Sequence, residues 1–244
     1  MFYIHHTNSF VFHEIARVIK NEIQDECVIT SDLTKSDGVW ILFFDSFWNG
    51  VHKIIKGNYI AVQSEPLHVK GSQEYLEYLE KAINVWDYTS NFKIGYSKTW
   101  ESEYQQMKPI DVLFYGSLNE RRLSILNNIN NVTIVSGEKS CYGNSLWIDY
   151  IAKSKIILSI AFYEPSNNDL FRIAPLLSNR FFVISEKCND SEFNNNPNIL
   201  SCTKEEIPSL CDYYLKNPSE RLEWINKGYD YIKSKPIKIP NYEK

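Results

Sequence analysis

The sequence predicts an α/β protein built in two halves, and three observations carry that prediction. Short apolar runs rich in β-branched and aromatic residues recur along the chain, and segments with apolar residues at helical spacing lie between them. The alternation lapses once, between Ser97 and Pro109, and then starts again. At 244 residues, 43% hydrophobic and 14% aromatic, the chain can fill two cores, and a disordered state is excluded.

The first half offers strands at Cys27–Thr30, Val39–Phe44, Tyr59–Val62 and Val85–Tyr88, each short enough for a sheet covered on both faces. One helix stripe runs through Phe12, Ile15, Ala16, Ile19 and Ile23, and another through Leu76, Leu79 and Ile83 toward Trp86. Polar residues and Pro109 then mark a boundary, giving an acceptor-side domain over 1–105 and a second domain over 106–244. The second half restarts with Asp111–Tyr115 and continues through Val132–Val135, Ile156–Phe162 and Phe181–Ser185. Near the end, Asn217 is placed to cap a helix that has Pro218 in its first turn and a stripe of Leu222, Ile225, Tyr229 and Ile232. The tail beyond Pro236 is expected to fray. Two such halves are expected to meet along the carboxyl edges of their sheets, where a cleft would take a ligand.

Composition narrows the partners. The net charge is −4, so no basic field points to nucleic acid. The longest apolar run, Val39–Phe44, is far below the roughly 20 residues of a membrane helix. The first residues lack a secretory pattern, and five scattered cysteines without a C-x-x-C pair suit reduced thiols, so a cytoplasmic location is expected and the sequons at Asn131 and Asn189 carry little weight. No G-x-G-x-x-G, P-loop, G-x-S-x-G or Asp-x-Asp occurs, and no metal is expected. His13-Glu14-Ile15-Ala16-Arg17 opens like a zinc-protease helix but has Arg where the second His belongs, and reads as a surface turn of the first helix.

Two segments carry the chemistry. In the first, Val112–Tyr115 leads into Gly116-Ser117-Leu118-Asn119 and then a helix opening on Glu120-Arg121-Arg122. Gly116 permits close backbone approach, Ser117 and Asn119 donate or cap, and the helix start with Arg122 suits an anion. The same residues also suit an ordinary strand-to-helix turn with solvated arginines. In the second segment, Glu164 follows a strand, Asp169 is placed to cap the next helix, and Arg172 one turn on is placed to face a phosphate. Glu164 is placed to accept from ribose hydroxyls, although an Asp cap beside an Arg is commonplace. In the first half, Asp45 and Glu65 sit at strand ends as candidate general bases, Glu65 first, with His5, His6 and His52 as weaker ones. The tyrosines Tyr75, Tyr78, Tyr213 and Tyr214 read as packing.

The run Val112–Arg122, then Lys155–Ile160 with Tyr163-Glu164, then Phe171–Asn179 before Phe182–Glu186, resembles the donor-binding half of GT-B glycosyltransferases of the group 1, family 4 kind. The resemblance implies two Rossmann-like domains, with the last helix packing back. It implies transfer of a sugar from a nucleotide-sugar donor (UDP-, GDP- or dTDP-sugar) to a glycan hydroxyl, and places the donor diphosphate on Gly116, Ser117 and Arg172. Many retaining members carry a glutamate pair where this sequence has Ser166 and Ala174, so Glu164, Asp169 or Glu186 would have to substitute. The short first half implies an open acceptor side or one completed by a second copy or partner subunit. The alternatives are a non-catalytic nucleotide- or glycan-binding subunit and a nucleotide-sugar epimerase.

Overall fold

The computed structural model describes residues 1–6, 10–23, 25–63, 72–102, 108–137, 146–164, 166–167 and 169–240. It divides into two compact units, Met1–Ile94 with the chain from Ile237, and Gly95–Pro236.

The first unit holds β1 (Phe2–His5), α1 (Phe10–Glu22), β2 (Cys27–Ile29), β3 (Val39–Phe43), α2 (Phe44–Trp48), β4 (Tyr59–Gln63), α3 (Gln73–Lys81) and β5 (Asn84–Asp87). Its sheet is parallel throughout, in the order β2-β1-β3-β4-β5, with Phe2 opposite both Cys27 and Val39. Every residue of β3 and β4 is buried, Gln63 included, which is why Val39–Phe43 and Tyr59–Val62 read as unbroken apolar runs rather than alternating ones. In α1 the stripe is as expected, with Ile15, Ala16 and Ile19 fully buried, but Glu14 is buried rather than on a surface turn and lies 3.3 Å from Arg17.

The phase of α3 differs from the sequence reading. Tyr75 and Tyr78 are its buried residues, while Leu76 and Ile83 are exposed. Ser72 caps the helix by accepting from the Tyr75 N–H at 3.2 Å, which sets the helical phase. The tyrosine hydroxyls then find buried acceptors, Tyr75 on Gln63 and Tyr78 on the Leu42 carbonyl, so large rings can be buried without stranding a polar atom. The tail is also more ordered than expected: Lys93 and Lys238 exchange backbone hydrogen bonds of 3.1 and 2.9 Å.

The second unit holds β6 (Ile110–Tyr115), α4 (Glu120–Leu126), β7 (Val132–Val135), β8 (Ser154–Ser159), α5 (Leu170–Ser178), β9 (Val183–Glu186), α6 (Ser191–Asn194), β10 (Ser201–Cys202), α7 (Ile207–Lys216) and α8 (Pro218–Lys233). Its parallel sheet runs β10-β9-β8-β6-β7. Numbered within each unit, the two sheets share one strand order, 2-1-3-4-5. Val112, Phe114, Ile156, Leu158, Phe182 and Ile184 form the core on one face, closed by Cys211 and Tyr214 of α7.

The helix α8 packs on α5 where Gly228 meets Leu177; a Cβ on Gly228 would lie 2.8 Å from the leucine Cδ2. Its buried residues are Gly228, Tyr229 and Ile232, whereas Leu222, expected in the stripe, is exposed. Asn217 stands at the cap position without capping; its amide donates instead to the Tyr213 carbonyl at 2.8 Å.

Candidate functional site

In a parallel sheet of this order, successive connections diverge at one place on the carboxyl edge, and the crevice there receives ligands. In the second unit that place lies between β6 and β8. Buried Val112–Tyr115 drive β6 to the edge, and Gly116 turns the chain with φ +136°, a region that side-chain-bearing residues rarely enter. Asn119 then caps α4: its Oδ1 accepts from the Arg122 N–H at 2.9 Å, and its Nδ2 donates to the Phe162 carbonyl at 2.7 Å.

This cap aims Arg122 inward. The residue is only 5% exposed and its guanidinium spans the two strand ends, donating to Ser117 O at 2.7 Å, Ile160 O at 2.5 Å and Ala161 O at 3.3 Å. The rings of Phe114 and Phe162 each lie 5.1 Å away. No carboxylate pairs with it among the described residues, and burial, then the nearby Arg172 charge, pull its pKa down to about 9. A buried cation bonded only to neutral carbonyls is stabilised by an arriving anion.

Arg172, in the first turn of α5, reaches the same point. It donates to the Tyr115 carbonyl at 3.1 Å and stacks over the Tyr115 ring at 4.9 Å. Its buried Nε lies 3.1 Å from Asp169 Oδ2, an ion pair whose angle makes no hydrogen bond. A Cβ built on Gly116 would stand 3.4 Å from Arg122 Nη1 and 3.5 Å from Arg172 Nη2. Two guanidiniums therefore converge on the space that the glycine leaves open, with Asp169 the one carboxylate paired to either among the described residues.

The other sequence candidates fall as follows. Gly116, Asn119, Arg122, Asp169 and Arg172 gather at this point. Ser117 is exposed and contributes its carbonyl to Arg122. Asp169 occupies the cap position of α5 but does not cap; its carboxylate turns to Arg172. Two of the amides here are already engaged: the Gly116 N–H donates to Val135 O at 3.0 Å, and Asn119 Oδ1 accepts from that of Arg122. Glu164 is half exposed and held by Arg121 Nε at 3.1 Å and Lys204 at 3.3 Å, which lower its pKa. Glu186 is buried and engaged by Arg121. That commitment of Arg121 was not legible in the sequence. Arg221, on α8, is partly buried and donates to Tyr214 O at 2.6 Å.

In the first unit the corresponding place lies between β1 and β3. His5 Nδ1 is 2.8 Å from the Ser46 hydroxyl, which donates to the His5 carbonyl at 2.9 Å. The hydroxyl has one hydrogen, so it accepts from Nδ1, and the imidazole lone pair is left on Nε2. Burial lowers the His5 pKa against the opposing pull of Asp45, which begins α2. His6 Nε2 and His13 Nδ1 are 3.2 Å apart. His52 packs between Phe47 and Tyr78, and burial lowers its pKa. Glu65 lies outside the described residues. Among the described residues no three His, Cys, Asp or Glu side chains gather to hold a metal, and no helix is long and apolar enough to cross a membrane.

No protein-family model matches the chain, and no curated protein matches it in sequence. Solved structures do. The crystal structure of the DNA modifying enzyme β-glucosyltransferase, determined with and without its substrate uridine diphosphoglucose, aligns at a TM-score of 0.55 and 12% identity over 96% of this chain and 94% of that one. The structure of T4 phage BGT with its UDP-glucose substrate aligns at 0.53 and 11% identity, with the same coverage. TarM aligns at 0.46 and 13% identity over 84% of this chain, which spans about half (53%) of TarM's length. At these identities the likeness to the first two shows a shared fold alone, which in this chain is built on two parallel five-stranded sheets.

Proposed function

We propose that this protein is a glycosyltransferase that moves a sugar from a nucleotide-sugar donor to a hydroxyl of a glycan acceptor, with the donor diphosphate held between Arg122 and Arg172 in front of Gly116. One observation carries the reading: two guanidiniums, one of them buried without a carboxylate, converge on a side-chain-free position at the edge of a parallel sheet. Planar guanidiniums match phosphate oxygens in pairs and keep their charge in a partly dry site. In the transfer, the bond between the sugar C1 and the diphosphate oxygen breaks. Its electron pair leaves with the diphosphate, where Arg122 and Arg172 stabilise the charge in the role a metal plays elsewhere. C1 bonds to the acceptor oxygen, whose proton passes to a base. Asp45 and Glu65 are the carboxylates proposed for that base, and the His5 geometry, with its lone pair on Nε2, supports the histidine beside Asp45. Asn119 and Asp169 hold the two arginines in place, and Ser117 and Glu164 flank the donor in this reading. The two neighbours aligned at TM-scores of 0.55 and 0.53 have uridine diphosphoglucose as substrate, and a UDP-sugar is accordingly the first donor to try. One of them modifies DNA, but the −4 charge of this chain favours a glycan.

A second reading has its own support: Glu164 and Glu186 are both engaged by Arg121, as in a nucleotide-binding subunit that performs no transfer. Calorimetry with UDP, GDP and dTDP, followed by incubation with their sugars, separates the possibilities. Binding with donor hydrolysis supports the transferase, binding without turnover supports the subunit, and interconversion of the sugar supports an epimerase. A protein that binds none of the three nucleotides contradicts all of them. Activity retained in EDTA would support the arginines as the only counter-charge.

A further inference from the structure

The two adjacent arginines of α4 have opposite surroundings. Arg122 is bonded to neutral carbonyls alone, while Arg121 donates to Glu186 from both terminal nitrogens and to Glu164 from Nε. Glu186, at the carboxyl end of β9, is buried, and its Oε2 also accepts from the Ala161 N–H at 3.0 Å. Arg121 in turn donates to the Ala161 carbonyl at 2.8 Å, the same oxygen that receives Arg122 Nε. Both backbone groups of Ala161 are thus fixed by this pair, on the segment that also presents Ile160 O to Arg122 and Phe162 O to Asn119.

We propose that Glu186 is a positioning residue for the anion cradle: by clamping Arg121 and Ala161 it fixes the carbonyls that aim Arg122 at the donor diphosphate. The proposal rests on the reading of the cradle as a diphosphate site. Neutralising Arg121 is the second half of the role, since Arg121 left with only the exposed Glu164 as counter-charge would repel the buried Arg122 beside it.

The sign of the effect distinguishes positioning from a simple field. Removing a negative charge near the cradle strengthens anion binding if Glu186 acts only through its charge, and weakens it if Glu186 acts through Arg122. Glu186→Gln keeps one acceptor oxygen, for the Ala161 N–H and Arg121 Nη1, and puts a donor where Oε1 accepted from Arg121 Nη2; calorimetry with UDP is expected to show affinity about fivefold to tenfold weaker, the range for a weakened charged hydrogen-bond network. The charge-neutral pair Arg121→Gln with Glu186→Gln leaves no lone buried charge and the same net field, and it too is expected to bind UDP weakly. Thermal unfolding checks that each variant is folded at the titration temperature. Asp111→Asn with Lys155→Gln removes the 2.5 Å ion pair at the other edge of the same sheet and is expected to leave UDP affinity unchanged. Parent-like or tighter binding by both Glu186 variants overturns the proposal. If the parent binds UDP and Arg172→Ala does not, the cradle stands even when the Glu186 role falls; if the parent binds no UDP, GDP or dTDP, both fall.

Discussion

The two sheets have the same strand order and end in opposite chemistries. Between β1 and β3 the strand ends are joined by a neutral pair, the His5 imidazole and the Ser46 hydroxyl, with Asp45 beside them. Between β6 and β8 they are joined by a guanidinium, with a second one alongside. Topology supplies the same crevice twice, and the side chains at the strand ends decide what each is fit to do. On the proposed reading the second edge takes the donor's anion and the first takes the acceptor's proton.

The comparison breaks most severely if the second edge loses its bridge. Arg122→Met leaves three strand-end carbonyls without their donor, so the second unit is expected to lose about 2–5 kcal/mol of stability and UDP binding together, read by chemical denaturation and calorimetry. Arg172→Ala removes the other guanidinium, which makes fewer structural bonds, and is expected to cost about 1.5–3 kcal/mol of UDP affinity with a melting temperature near the parent's. Gly116→Val is expected to do comparable damage to binding, because its side chain enters the space between the guanidiniums on a backbone at positive φ.

The pH dependence sharpens the contrast. The binding-competent form of Arg122 is protonated, and its pKa is drawn down to about 9, so UDP affinity measured from pH 7 to 10 is expected to fall as pH rises through about 9. A bound anion favours the proton, so binding takes up protons in that window. At the first edge the smallest effect is expected. Ser46→Ala removes the acceptor that fixes the His5 tautomer, lowering kcat by about tenfold, the lower part of general-base contributions, with UDP affinity unchanged. A Ser46→Ala protein that binds UDP poorly would erase the division of labour between the edges.

Much of this was legible in the sequence. The unbroken apolar runs at Val39–Phe44 and Tyr59–Val62 announced buried parallel strands, and Gly116 followed by Asn119 announced the turn and cap that place Arg122. The short β10 and the four-residue α6 left no periodic signal to read. The phase of α3 was hidden because a capping serine and two buried hydroxyl acceptors, all distant from the stripe in sequence or kind, outweighed Leu76. At the site, charge alone could not tell Arg121 from Arg122. Their difference depends on Glu186, 65 residues from Arg121, and on carbonyls beyond β8, which only the folded sheet brings together.

The most direct test of the central claim is a crystal structure of the protein with UDP bound. The account predicts the diphosphate in front of Gly116, with oxygens within hydrogen-bond distance of Arg122 Nη1 and Arg172 Nη2. A diphosphate seated at the His5–Ser46 edge, or one touching neither guanidinium, would contradict it.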